Sequence, residues 1–242
     1  MSYATEDDLM FNTSTRLPVC LCIDTSGSMS SKDDDPNGKS RIARVKEGIE
    51  AFYQEIRNDE MTLYSAEICI VGFSDEPYIV RPFGTLQEDE KGKDVNIKSG
   101  GNGDIGLGVL KALELLNERK QMYKSNGVDY YQPWLIIMSD GHTTAKNKED
   151  AKKAIEKAHA EVKKLEQDKK LTVVPVYIGG GLDDDEKASR DMGGFSDKYS
   201  VQEIKSTKFS DFFVWLGKSV SVATNDNDVP LDFTDLTDWS DF

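Results

Sequence analysis

Asp24, Ser26 and Ser28 stand at alternate positions where an apolar run, Val19-Cys20-Leu21-Cys22-Ile23, comes to an end. In a tight loop alternate residues turn to one side, so a carboxylate and two neutral hydroxyls can converge on one point. Oxygen ligands of this kind suit a small hard cation. Mg2+ is the favoured ion because it prefers six oxygens and keeps several waters, with Mn2+ or Ca2+ as related choices. Three such groups neither enclose the ion nor neutralise it. The open positions fall to water, to a second loop or to a carboxylate from another molecule. The competing reading is a solvated strand-to-helix turn with an N-cap.

Other chemistries fit less well. A phosphate-accepting aspartate after a buried strand needs a second acid two residues on, and Ser26 holds that place. A serine hydrolase needs Gly-x-Ser-x-Gly and a histidine base, but Asp24 takes the first glycine position. The two histidines, His142 and His159, are expected in a surface turn and on the solvent side of a helix. No phosphate loop or dinucleotide fingerprint appears. A metal-dependent hydrolase or phosphatase using Asp24 remains the alternative to a non-catalytic binding protein. The acid triplet Asp33-Asp34-Asp35 lacks the alternating spacing and distal glutamate of an EF-hand, and reads as an exposed loop.

The elements that must position these groups alternate along the chain. Apolar runs predict strands over Leu17 to Ile23, Ala66 to Phe73, Trp134 to Ser139 and Leu171 to Ile178. A short strand over Tyr78 to Phe83 is expected as an antiparallel edge, and a last one over Lys198 to Val201. Helices are expected over Arg41 to Arg57, Ile105 to Lys120, Glu149 to Gln167, near 184–190 and over Ser206 to Val222. In the first of these Ile42, Val45, Ile49, Phe52 and Ile56 step by three and four along one face. In the second, Leu107, Leu110, Leu113 and Leu116 are the expected packing residues. Strand-helix alternation gives an α/β fold, a doubly wound and mostly parallel sheet with helices on both faces. Three loops, 24–30, 99–106 and 140–144, follow strand ends or open helices and can gather at the switch point of such a sheet.

The 242 residues carry a net charge of −14, which argues against nucleic acid and anionic membranes as partners. It fits cations or basic protein surfaces. No apolar run approaches the roughly 20 residues of a membrane span. The first twelve residues do not read as a secretory signal, so a cytoplasmic location is expected. Cys20, Cys22 and Cys69 lie in strand-like runs and read as reduced core residues. The expected organisation is a polar lead-in over 1–16, one domain over 17–222 and an acidic tail over 223–242.

The spelling apolar strand, then Asp24-Thr25-Ser26-Gly27-Ser28-Met29, resembles the first element of the metal-ion-dependent adhesion site (MIDAS) of von Willebrand factor A (VWA) domains. Ser139-Asp140-Gly141 after its own apolar strand matches that family's Ser/Thr-Asp-Gly motif, which implies Asp140 as a further metal-site residue. The middle loop departs from the pattern. Counting back from Gly106, the family's threonine position falls on Gly103, which has no side chain to offer. Asp104 or Asn102 flanks the gap, and Asp104 is preferred because a carboxylate suits a hard ion better than an amide. The implied metal set is therefore Asp24, Ser26, Ser28, Asp104 and Asp140, with both serines ligating directly and Asp24 and Asp140 acting through water.

Within that superfamily the chain is similar to bacterial tellurite-resistance TerY-like proteins. The Arg16-Leu17-Pro18-Val19 start, Glu118-Arg119-Lys120, Tyr130-Tyr131-Gln132-Pro133-Trp134, and Phe209-Ser210-Asp211-Phe212-Phe213-Val214-Trp215-Leu216 with Ser219-Val220-Ser221 carry this likeness. It implies a cytoplasmic, non-catalytic scaffold of a stress-response system, with protein partners such as a Ser/Thr kinase and a metal-dependent phosphatase encoded nearby.

The tail, Thr224 to Phe242, has Asp226, Asp228, Asp232, Asp235, Asp238 and Asp241 and no basic residue. Leu231, Phe233, Leu236, Trp239 and Phe242 are interleaved. Acids alone would mean a solvated end. The apolar residues point to docking on a basic, groove-bearing partner, or to an aspartate entering the metal site of a neighbouring molecule.

Overall fold

The computed structural model describes residues 13–32, 38–87, 95–179, 182, 185–205, 208–225 and 231. The Asp33-Asp34-Asp35 loop and most of the lead-in and tail lie outside them. Six strands form one sheet: β1 (Leu17–Asp24), β2 (Ala66–Phe73), β3 (Pro77–Arg81), β4 (Trp134–Ser139), β5 (Thr172–Ile178) and β6 (Gln202–Ile204). Their order is β3-β2-β1-β4-β5-β6, parallel throughout except for the antiparallel edge strand β3. The chain winds outward from β1 to β2 on one side and from β4 to β5 on the other. The reversal falls between β1 and β4, where Ile23 lies beside Met138. That register delivers Asp24 and Asp140 to one crevice.

Every residue of β1, β2, β4 and β5 is buried, as expected of strands covered on both faces. Leu17, Val19, Leu21 and Ile23 face a core shared with helices α1 (Arg41–Arg57) and α6 (Phe209–Asn225). Cys20 and Cys22 face the opposite core, under α3 (Ile105–Ser125) and α4 (Lys148–Gln167). All three cysteines are free and buried. The five apolar positions expected on α1 are all buried. Gly48 of α1 lies under the Phe213 ring of α6, where an added Cβ would come within 2.1 Å of ring carbon. This absence of a side chain lets the two helices approach closely.

Several boundaries differ from expectation for local reasons. Two short helices complete the set, α2 (Glu60–Ser65) and α5 (Glu186–Gly193). Helix α2 was not anticipated; Asp59 caps it by accepting from Thr62 N at 2.7 Å, an Asp-x-x-Thr signal readable before an otherwise aperiodic stretch. Helix α3 runs five residues past Lys120 and stops at Asn126 and Gly127, whose φ of +65° is the usual left-handed exit. Its buried stripe is Ile105, Val109, Ala112 and Leu116, with Leu113 alongside, while Leu107 and Leu110 are half-buried. Steps of three residues drift about 60° around a helix, so four such leucines do not share one face. Strand β6 begins at Gln202, after the expected Lys198 to Val201. The amides of Lys198 and Tyr199 are already taken by Ser196 Oγ at 3.2 and 3.0 Å. Helix α6 continues to Asn225, so Thr224 is a buried helix residue bonded to Thr62 at 2.8 Å. Leu231 also packs, half-buried, on the α1/α6 core.

Arg16 is not part of a loose lead-in. It is 2% exposed and pairs with Glu67 of β2 at 3.6 Å. Arg119 and Tyr123 of α3 reach the same carboxylate at 2.5 and 2.6 Å.

Candidate metal centre

The loop after β1 does not enter a long helix. It makes a single 3-10 turn over Gly27–Ser30, pinned by the buried Met29. Ser26 sits at the N-cap of this turn, yet its side chain makes no capping bond. Instead Ser26 Oγ lies 2.9 Å from Ser28 Oγ. The hydroxyls thus converge as the spacing predicts, with Ser26 buried and Ser28 exposed. Thr25 fastens the loop base: its amide and hydroxyl both donate to Phe73 O, at 2.8 and 2.9 Å. Gly100 N donates to Thr25 O and Gly27 N to Gly101 O, at 2.8 and 3.0 Å. The glycine-rich loop and the serine loop are therefore sewn together by backbone bonds.

Asp24 is fully buried behind the serines. Its Oδ1 accepts from Ser26 N at 2.8 Å and its Oδ2 from Ser139 Oγ at 2.7 Å. Burial, and next the charge of Asp140, push its carboxyl up to about 6 against the pull of those hydrogen bonds. Asp140 is also buried; its Oδ1 accepts from His142 N at 3.2 Å and its Oδ2 faces Arg41 Nη1 at 3.3 Å. Gly141, which turns the chain here, needs to be glycine. It has a φ of +74°, and an added Cβ would come within 2.5 Å of Ala188.

The middle loop brings Gly103 to the site. A Cβ built there would stand 3.4 Å from Ser26 Cβ and 3.6 Å from Ser26 Oγ. Gly103 is held by a two-way exchange with Thr144: Gly103 N donates to Thr144 Oγ1 at 2.8 Å, and Thr144 N to Gly103 O at 3.0 Å. The two side chains expected to fill the gap are otherwise engaged. Asp104 caps α3, its Oδ1 accepting from Leu107 N at 3.0 Å. Burial raises its pKa, and the charge that adds to this is Glu76. Asn102 donates to Asp75 Oδ1 at 2.8 Å at the surface. The structure thus unites Asp24, Ser26, Ser28 and Asp140, and gives Asp104 a capping role. Ser139 and Arg41 belong to the site as well. Ser139 adjoins Asp140 in sequence and could have been found; nothing local marks Arg41.

The donor set fits a small hard cation. Two oxygens on neighbouring corners of an octahedron, each about 2.1 Å from Mg2+, are about 3.0 Å apart, close to the 2.9 Å between the two serine hydroxyls. Among the described residues no three His, Cys, Asp or Glu side chains cluster as a metal cage. Neutral hydroxyls therefore form the front of the site, and two acids supply charge from behind. His142 is a surface turn residue, 3.3 Å from Asp185. His159 is not on a solvent side: its ring is half-buried, edge-on to Phe195 at 4.4 Å, with Nε2 2.8 Å from Asp191 O. Neither imidazole ring is bonded to Asp24 or Asp140; His142 reaches Asp140 only through its backbone amide.

The fold and this loop arrangement define a class, and the chain belongs to it: residues 19–143 match the von Willebrand factor type A domain family. Solved structures agree on the fold. The PilB minor pilin from Streptococcus sanguinis superposes with a TM-score of 0.62 at 12% identity, over 90% of this chain and 64% of the pilin. A von Willebrand factor type A protein from Catenulispora acidiphila gives 0.53 at 12%, over 86% of this chain and 43% of that one. The SpRpn10 VWA domain gives 0.55 at 15%, over 84% of this chain and 95% of the domain. The chain thus spans less than two-thirds of the pilin and of the Catenulispora protein. None of the curated proteins matches the chain significantly. No helix among the described residues is long and apolar enough to cross a membrane.

Proposed function

We propose that this VWA domain is a non-catalytic protein-binding adaptor whose contact point is a divalent cation, Mg2+ in the first place. The observation that carries the reading is the Ser26–Ser28 hydroxyl pair at 2.9 Å, backed by the buried and under-compensated Asp24. Ser26 and Ser28 would hold the ion directly, with Asp24 and Asp140 orienting water from behind. When bound, the cation supplies a positive contact for a carboxylate of the partner. Ser139 fixes Asp24, and Arg41 shares Asp140. Gly103 adds no side chain on that side of the site.

The hydrolase alternative asks Asp24 to be a nucleophile. Its full burial and the engagement of both its oxygens argue against that. The segments shared with TerY-like proteins support a place in a bacterial, cytoplasmic stress-response system, with a kinase and a phosphatase as protein partners. The experiment is capture of partners from a native host on the immobilised full chain, with and without chelator, and on a Ser26→Ala chain. A partner set lost in both chelator and the variant is the expected result. A set retained in both would remove the metal from the mechanism.

A further inference from the structure

A second surface is built beside this site. Helices α4 and α5 flank an open cleft of about 880 Å3 that starts at Thr143, three residues beyond Asp140. Its floor is apolar, with Ala151 and Ile155, and its rim carries Lys148, Lys152, Lys187 and Arg190. Two acids answer these four bases. Asp191 takes Lys187 and Arg190 at 3.6 and 3.3 Å, and Glu156 takes Lys152 at 3.9 Å. Lys148 has no acid partner among the described residues. Four bases against two acids give the cleft a local excess of positive charge on a chain of net charge −14, and its volume falls in the range of ligand clefts.

The chain itself contains a segment of complementary design. Residues 232–242 read Asp-Phe-Thr, Asp-Leu-Thr, Asp-Trp-Ser, Asp-Phe. An acid is followed by an apolar residue at a strict period of three. In an extended left-handed helix of three residues per turn, such a period lines the acids along one edge and the apolar groups along another. That pairing of edges matches a basic rim and an apolar floor.

We infer that the cleft between α4 and α5 receives the 232–242 segment of a second copy of this chain. The same molecule is a poor source. Leu231 packs on the α1/α6 core, across the sheet from α4 and α5. Eleven residues reach at most about 40 Å fully extended, and from Leu231 that length must first carry the chain round the edge of the sheet. A second copy offers all three triplets and the final Asp241-Phe242 pair. This pairing uses no residue of the metal centre and does not depend on it.

The test is sedimentation of the full chain over a range of concentrations and salt, in excess EDTA, together with titration of a synthetic 231–242 peptide. Expected are a concentration-dependent dimer that high salt weakens, and peptide binding that inhibits it. Lys148→Glu/Lys152→Glu and Trp239→Ala chains should each lose at least tenfold in dimer affinity, with unchanged melting of the fold. Dimerisation that EDTA abolishes would place the acids in the metal centre and overturn the cleft. Peptide binding indifferent to Lys148→Glu/Lys152→Glu would overturn it too. A monomer at every concentration, whether or not its Trp239 fluorescence is shielded from a quencher, would overturn the second copy.

Discussion

Two buried acids sit at opposite ends of the same strand pair, and they are treated in opposite ways. Glu67 lies at the amino end of β2, 1% exposed, with Arg16 and Arg119 as ion partners and the Tyr123 hydroxyl as a third donor. Asp24 lies at the carboxyl end of β1, equally buried, but receives one amide and one serine hydroxyl, and Asp140 repels it. The first carboxylate is saturated by cationic partners inside the fold. The second is held in position with its charge left under-compensated. That a buried acid is fully neutralised at one end and not at the other supports the proposal that an outside cation belongs at the second.

The contrast predicts different responses to similar changes. Glu67→Gln leaves Arg16 and Arg119 facing a neutral group in the interior, and should cost about 3–5 kcal/mol of unfolding free energy, the range for breaking a buried pair. Thermal or urea unfolding would read it, and Mg2+ affinity of the folded fraction should not move. Asp24→Asn removes a charge that burial already disfavours. Its metal-free stability should hold or rise while Mg2+ binding is lost. If both variants destabilise the fold equally, the two acids are the same kind of structural group and the contrast fails.

Arg41 sharpens the comparison, because its guanidinium pairs with Asp140, an acid of the site, at 3.3 Å. At the proposed metal centre it would compete with the ion for Asp140. Arg41→Ala should tighten Mg2+ binding by roughly fivefold, the equivalent of about 1 kcal/mol for a partly exposed pair. A calorimetric titration decides it; weaker binding would mean that Arg41 positions Asp140 more than it opposes the ion.

The smallest effect concerns pH. Burial, foremost, holds His159 below the usual histidine range, so the fold keeps the neutral ring. The unfolded chain takes up the proton first as pH falls. This contribution to stability is present at neutral pH and is lost as pH drops from about 6.5 through the depressed native value. Melting curves of wild type and His159→Gln should converge between pH 7 and 5, by no more than a few degrees. A gap that widens on acidification would contradict the assigned burial of the ring.

Much of the fold was legible because its signals are local. The buried strands announced themselves as apolar runs, and α1 by its three-and-four spacing. The serine loop was legible for the same reason: Asp24, Ser26 and Ser28 converge within five residues. What stayed hidden depends on contacts between distant segments. Arg41 reaches Asp140 across 99 positions, and no spacing rule carries that. For Asp104 the sequence also carries a competing local demand, the need of α3 for an N-cap, which the structure shows it meeting. His159 was read as solvent-facing because its helix is lightly apolar, but Phe195 and Asp191 close over it. Arg16 looked like part of a polar lead-in until β2 supplied Glu67. The triplet repeat of the tail was in plain view, but the cleft between α4 and α5 that we propose for it is assembled only by folding.

The most direct test of the central claim is a calorimetric titration of Mg2+ into the full chain and into a Ser26→Ala/Ser28→Ala chain of equal thermal stability. One saturable site in the wild type, absent from the double variant, is the predicted result. Equal affinity in both, or no saturable heat in the wild type, would contradict a metal centre built on the serine pair.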